Sequence, residues 1–444
     1  MVSLTAGVAF CVAFCLAGSS IAGEGSELTT ASRSFRGDDA DGIAVTTAPA
    51  VWTPDDIAWR TPIDGRAWSS PAVDGDQVWV TTATEDGREL TGLCLSLATG
   101  ERLWSQVVFG VHQPGEKHLF NSYASPTPAL SDDVAYLCWG SAGLAAIDRA
   151  TFALRWVRRD LPANHYRGPG SSPILSRDAS RLFLMYDGYD VQYVECLDAA
   201  TGATIWRTHR PIDFETDNGD KMKAYGTPLL LDAARSGLDR DELVCPRSFG
   251  CFAYDPGNGL ELWRVRYGQF STGTRPVFAD GRLYLTTGFG KGNVVAIRPG
   301  GDGDVTDTHL EWTAAKTMPS KPSPVVAAGV VYALNDKGVL VMLDAATGER
   351  LHQVRLSGNF SASPLLMRRP PKAIELDDRL LVVEESGDAI ALSVADSPSD
   401  AKSVDIVGRS TLPDGMLATP VAIGDRLLIR TRSELVCLET GETD

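Results

Sequence analysis

From about Val51 onward the chain alternates short apolar runs with brief polar turns, and Pro and Gly leave few uninterrupted stretches for long helices. The pattern reads as one phrase repeated with changed words. It begins with a Ser/Thr-Pro step and an apolar pair, passes an Asp/Gly turn and enters a β-rich run. The clearest case is Ser70-Pro71-Ala72-Val73, then Asp74-Gly75-Asp76, then Val78-Trp79-Val80. The step returns at Thr127-Pro128, Ser172-Pro173, Thr227-Pro228, Arg275-Pro276, Ser323-Pro324, Ser363-Pro364 and Thr419-Pro420. Each copy lies about fifty residues from the next, which is too long for one hairpin and suits a four-stranded β unit. Eight such units predict an eight-bladed, all-β propeller.

The second half of the phrase is Asp-x-x-Thr-Gly-x-x-x-Trp, clearest at Asp198, Thr201-Gly202 and Trp206. Its Asp can accept backbone N–H groups of a tight turn, and its Gly supplies positive φ. A Trp once per blade on an outer strand reads as a packing anchor between neighbours. Cys94, Cys196 and Cys437 repeat one lattice position two residues before this turn and read as buried free thiols. Cys245 and Cys251 flank a hairpin and are near enough in sequence for a disulfide, which the sequence leaves open. The last unit ends too early to have its own outer strand, while Ile57-Ala58-Trp59-Arg60 precedes the first blade without a partner. The N-terminal strand is therefore expected to complete blade eight and close the ring.

These motifs resemble the pyrroloquinoline-quinone-type (PQQ-like) eight-bladed propellers, the group that includes the outer-membrane assembly factor BamB. The resemblance covers residues 51–440 and concerns the residues that build blades. For quinoprotein dehydrogenases it implies a quinone beside a ring of adjacent cysteines, with calcium held by Glu, Asn and Asp. This chain contains no Cys-Cys pair and has no room for the large inserted loops that usually cover the cofactor. No cofactor is therefore expected, and PQQ with calcium is the alternative. Walker, G-x-S-x-G, H-E-x-x-H and paired-Cys zinc patterns are also missing.

Charge narrows the partners. With 41 Lys and Arg against 57 Asp and Glu, the net charge of −16 disfavours nucleic acid and anionic membranes. The uncharged apolar stretch from Val2 to Ala22 reads as a signal peptide cut after Ala22, with an uncleaved anchor as the alternative. No later run is long enough to span a bilayer, so a secreted or periplasmic monomer is expected. Residues 23–50 read as a flexible linker whose removal up to Thr47 should cost little, and residues 51–444 as the propeller. His112, His118 and His165 near one rim, and Asp302, Asp304 and Asp307 in a swollen hairpin, are candidate metal clusters, with exposed or solvated side chains as the alternative.

Residues just before each Ser/Thr-Pro step enter the innermost strand at one rim and so converge on a funnel. The candidate ligand-binding set there is Asn121, Tyr123, His165, Arg167, Lys223, Tyr225, Arg275, Lys321, Asn359 and Phe360. Arg167, Lys223, Arg275 and Lys321 occupy equivalent places in blades three to six. Either they meet a small anion, a carboxylated glycan or an acidic peptide segment, or Asp187, Asp190 and Asp220 neutralise them. The expected function is a non-catalytic binding or scaffold protein acting on a protein partner or small anionic ligand. The alternative is a PQQ-dependent quinoprotein dehydrogenase.

Overall fold

A computed structural model describes residues 27–210, 216–289, 291–371 and 377–440, so the candidate leader at 1–22 lies outside the described residues. Eight sheets form the ring, each built on four antiparallel strands, which in the first seven run outward in chain order. Blade 1 comprises Ala72–Asp74, Gln77–Ala83, Glu89–Ser96 and Arg102–Gly110. Blades 2 to 7 follow the same order and blade 8 its first three strands, each blade opened by its Ser/Thr-Pro or Arg-Pro step. One face of the ring therefore carries the inner Asp/Gly turns and the Thr-Gly turns, here called the turn face. The opposite loop face carries the middle hairpins and the crossovers from blade to blade.

Each hydrophobic cluster is shared by two neighbouring blades, so the core is a set of eight inter-blade seams. The repeated motifs are the seam chemistry. Trp156 of blade 2 lies on the Thr-Gly turn of blade 3 and donates from Nε1 to Ala199 O at 3.0 Å. Trp312 of blade 5 does the same to Ala345 O at 3.0 Å in blade 6. Gly202 and Gly348 have φ of 73°, and a Cβ on either would strike the neighbouring indole at 2.7 and 2.6 Å. Glycine is thus required twice over, by the turn and by the indole stacked on it.

Near the axis the Ser/Thr hydroxyls form a belt. The N–H of Ser70 donates to Thr127 Oγ1 at 3.1 Å, that of Thr127 to Ser172 Oγ at 2.9 Å, and that of Ser172 to Thr227 Oγ1 at 3.1 Å. It resumes from the N–H of Arg275 to Ser323 Oγ at 3.0 Å, from Ser323 to Ser363 at 2.9 Å and from Ser363 to Thr419 at 3.0 Å. Each hydroxyl satisfies a buried N–H of the preceding blade, which explains why a hydroxyl residue precedes the proline. Arg275 cannot supply one and the Ser70 hydroxyl accepts none, so among the described residues the belt breaks at both.

Ile57–Pro62 pairs antiparallel with Glu434–Glu439 as the outer strand of blade 8, so the ring closes as expected. Its Trp59 donates to Leu97 O of blade 1 at 3.0 Å, the same seam contact that Trp156, Trp206 and Trp312 make. The swollen hairpin of blade 5 is exposed, and its Gly303–Asp304 adds a parallel edge to the outer strand of blade 4.

The expectation of a flexible linker is overturned for residues 27–50. Ala31–Ser32 pairs with the inner strand of blade 1, and Ile43–Val45 runs parallel to the inner strand of blade 7, Leu365–Arg368. Backbone bonds from Leu130 N to Arg33 O, Thr47 N to Gly424 O and Gly424 N to Thr29 O tie the segment to blades 2 and 8. This segment is a plug across the turn-face end of the channel. It is held by backbone groups and small buried residues such as Ala40, Ala44 and Ala48, so hydrophobic periodicity does not betray it.

Candidate functional site

The loop-face mouth is crossed by the connection from blade 1 to blade 2. Trp68 Nε1 donates to Phe120 O at 2.8 Å and Arg66 Nη2 to Leu119 O at 2.8 Å, which pulls residues 119 and 120 over the opening. Lys321 of blade 6, on the opposite side of an eight-membered ring, brings its Nζ within 5.3 Å of the centre of the Phe120 ring. The crossover therefore reaches over the axis. Asn121 and Tyr123 anchor it: Asn121 Nδ2 donates to Arg167 O at 2.8 Å and its Oδ1 accepts from Ser122 N at 2.8 Å, while Tyr123 OH donates to Gly115 O at 3.0 Å. Leu119 is 85% exposed at the tip.

Beside this crossover, blades 3 and 4 bring His165, Arg167, Lys223 and Tyr225 together. Lys223 is buried and places Nζ 2.7 Å from Asp220 Oδ1, with a further donation to Ser271 Oγ at 2.9 Å. Arg167 approaches the same carboxylate at 3.5 Å and lies over the Tyr166 ring. Burial pushes the Asp220 carboxyl up, but the bonds and charge of Lys223 and Arg167 hold it below its ordinary value. Tyr225 OH donates to His165 O at 3.1 Å. Lys321 meets Glu385 at 3.1 Å and Ser361 Oγ at 2.8 Å, and Asn359 Oδ1 accepts from Lys337 Nζ at 2.9 Å.

Two candidates lie elsewhere. Phe360 is fully buried in the seam between blades 6 and 7 and offers no stacking surface. Arg275 stands on the step itself rather than before it, so its side chain passes the rim and reaches the plug. There it donates to Phe35 O, to Ser34 Oγ at 3.2 Å and to Pro228 O at 3.2 Å.

The proposed acid partners are also rearranged. Asp220 pairs as expected, but Asp190 Oδ1 accepts from Asn164 N at 2.8 Å. Asp187, fully buried, accepts two bonds of 3.0 Å from Arg247 Nε and a third from Arg247 Nη2, and Arg210 Nη1 lies 3.6 Å away. Arg247 ends the second strand of blade 4 where Asp187 ends that of blade 3. This buried pair was missed because its two residues lie sixty apart in sequence; the signal available was a charged residue at the same strand position in adjacent blades.

Neither metal cluster forms among the described residues. His118 packs on Phe120 with ring centres 4.6 Å apart, and Asp302 and Asp304 pair with Arg240 and Arg266 at 3.3 and 2.8 Å. His165 is half-buried, and its Nε2 accepts from Ser141 N at 3.0 Å. Burial pushes its pKa down to about 4, opposed by the charge of Asp190. The unfolded chain takes up a proton near pH 6.5 that the folded site refuses, so this contribution to stability is complete above pH 6.5 and lost as pH falls towards about 4. His165→Gln keeps an acceptor for Ser141 and should flatten the fall in unfolding free energy across that window, followed by denaturant titration at a series of pH values. Parallel pH profiles for variant and parent would contradict the assignment.

Seams, closure and channel define an eight-bladed propeller of the PQQ-repeat type. The chain belongs to the family described as outer membrane protein assembly factor BamB, whose family model matches residues 40–183, 190–360 and 252–443. It is 27% identical over 328 residues to the serine/threonine-protein kinase AfsK of Streptomyces griseus, covering 72% of this chain and 34% of that protein. The chain thus spans about a third of the length of that curated relative. Among solved structures it is similar to BamB from Moraxella catarrhalis, with TM-score 0.52, 17% identity, 82% of this chain and 97% of that one covered. It is also similar to quinohemoprotein alcohol dehydrogenase from Comamonas testosteroni, with TM-score 0.62, 10% identity, 94% of this chain and 82% of that one covered. At such identities these likenesses concern the fold alone.

Proposed function

We propose that the chain is a non-catalytic binding protein of an extracytoplasmic space, which presents its propeller faces to segments of partner proteins. One observation carries this reading: the cations expected to receive a ligand at the channel mouth already have partners within the chain, and chain segments cross the channel at both faces. A ligand at the axis would have to displace these bonds, whereas the faces need no rearrangement. The family's description as an assembly factor agrees with it. Among the described residues no helix is long and apolar enough to cross a membrane.

The dehydrogenase alternative asks for residues this chain does not bring together. Cys94, Cys138, Cys196, Cys245, Cys251 and Cys437 are buried free thiols set in blade strands. Lys223, Arg167 and Lys321, the cations at the channel mouth that could meet the carboxylates of a quinone, are held by Asp220 and Glu385. The residues do not fit the group. Purified protein incubated with calcium and PQQ, then gel-filtered, is expected to carry no visible absorption and to reduce no dye when given alcohols. Co-eluting quinone with alcohol-dependent dye reduction would overturn the reading.

A further inference from the structure

The plug grips the ring through one recurring backbone position. Two residues after the proline of each step, the inner strand turns its N–H and C=O toward the axis. In blade 2 the N–H of Ser131 donates to Val134 O at 2.9 Å, so the adjacent pair, Leu130 opposite Ala135, is the non-bonded one in the ladder. The freed Leu130 N–H donates to Arg33 O at 2.9 Å. In blade 7 the equivalent Leu366 donates to Gly42 O at 2.9 Å, and in blade 1 Val73 lies opposite Ser32.

Blade 3 has the same register. The N–H of Ser176 donates to Arg181 O at 2.9 Å, which leaves Leu175 facing the axis. The plug does not pair with it. In its place is a cavity of about 710 Å³ on the turn face, bounded by residues 33–39 of the plug and by the inner strands of blades 2 to 4, Leu175 and Leu230 included. That volume lies within the range of sites that hold a ligand.

The charges around the cavity are unevenly committed. Its arginines are engaged: Arg33 with Asp74 and Asp132, Arg155 with Asp148, Arg177 with Asp232, Arg235 with Asp39, and Arg275 with the plug backbone. Asp38, Asp133, Asp178 and Asp198 also line it; none of them has an ion-pair partner within 4.0 Å among the described residues, and Asp38, Asp178 and Asp198 accept only neutral hydrogen-bond donors, from Arg33 N, from Ser176 and Ser180, and from Thr201. The charge left without an ion pair is negative, beside a strand edge that has no partner among the described residues.

We propose that this cavity is the docking site for an extended, basic segment of a partner protein, which adds a strand to the inner edge of blade 3 as the plug does in blades 1 and 7. Backbone pairing supplies the grip and the carboxylates select lysine or arginine on alternate side chains. The proposal rests on the binding-protein reading above and gives it a site and a partner chemistry.

The test is fluorescence anisotropy of the full chain with a labelled peptide of about seven residues that alternates arginine with valine. Binding is expected, weakening as salt is raised. Replacing every arginine of the peptide with glutamate, or methylating alternate backbone nitrogens, should each weaken it about tenfold or more. Asp133→Asn should weaken the arginine peptide several-fold while leaving the melting temperature unchanged. Equal affinity for the arginine and glutamate peptides, undiminished binding after N-methylation, or no binding of the arginine peptide would each overturn the site. If the peptide fails while the protein neither retains quinone nor oxidises alcohols, the site is wrong and the binding-protein reading stands. Quinone retention with alcohol oxidation would remove that reading as well.

Discussion

Asp187→Asn is expected to destabilise the propeller by about 3–5 kcal/mol, because it leaves the buried Arg247 guanidinium without its counter-charge. Asp187 and Arg247 are both fully buried, and Arg247 also donates to Tyr254 OH at 2.7 Å. An asparagine keeps one acceptor oxygen but turns an amide toward a cation and removes the negative charge. For a domain of this size the loss corresponds to a fall of roughly 5 °C in Tm, since the entropy of unfolding grows with chain length. Asp302→Asn is the control: its carboxylate is 86% exposed where it meets Arg240, and it should change stability by less than about 0.5 kcal/mol. Equal melting temperatures for the two variants would show that the buried pair does not hold blades 3 and 4 together.

Removal of the plug is expected to cost on the order of 5 kcal/mol, in contrast to the small cost expected for a linker. A chain beginning at Ala48 loses the bonds of Arg33 to Leu130, Gly42 to Leu366, Thr46 to Arg368 and Thr47 to Gly424. It also loses the bond of Arg36 to Pro324 O at 2.7 Å, and Phe35 as the acceptor for Arg275. Each such bond contributes about 0.5–1.5 kcal/mol net, so several together reach that figure. Truncation beyond Arg60 should cost more again, since it strips Trp59 from the seam with blade 1 and opens the edge of Glu434–Glu439. Thermal unfolding of the parent and both truncations should rank in that order. A chain beginning at Ala48 that melts with the parent would refute the plug.

The ring itself was legible because its rules repeat. The Thr-Gly turn and the Trp recur along the ring, and the indoles of Trp59, Trp156, Trp206 and Trp312 stack on a glycine of the next blade, so periodicity carried the seam chemistry directly. Closure by Ile57 to Arg60 followed from a missing strand at one end and a spare strand at the other. What repetition does not encode was misread. The plug is held by main-chain groups, and residues 27–50 show no β or helical period to mark them.

Within the site the same divide holds. Equivalent places in the sequence implied equivalent directions for Arg167, Lys223, Arg275 and Lys321. Arg275 nevertheless sits on the step while the others precede it by two to five residues, which turns its side chain from the mouth to the plug. Phe360, on a neighbouring position of the same approach, falls inward onto the seam. The pairing of Lys223 with Asp220 was readable from proximity in sequence. That of Asp187 with Arg247, and of Lys321 with Glu385, depends on which blades stand side by side.

The central claim is that the chain itself closes its channel at both faces, so that binding takes place on the faces and at the sector under blade 3. Amide hydrogen exchange followed by mass spectrometry, on peptides spanning residues 29–47 and 111–123, tests it most directly. The bonded amides of 29–47 are expected to exchange as slowly as those of the inner strands they pair with, and the N–H groups of His118 and Asn121, which donate to Arg167 O at 3.2 Å and His118 O at 2.9 Å, more slowly than an unstructured peptide. Exchange of both segments at the rate of a free peptide would contradict the account.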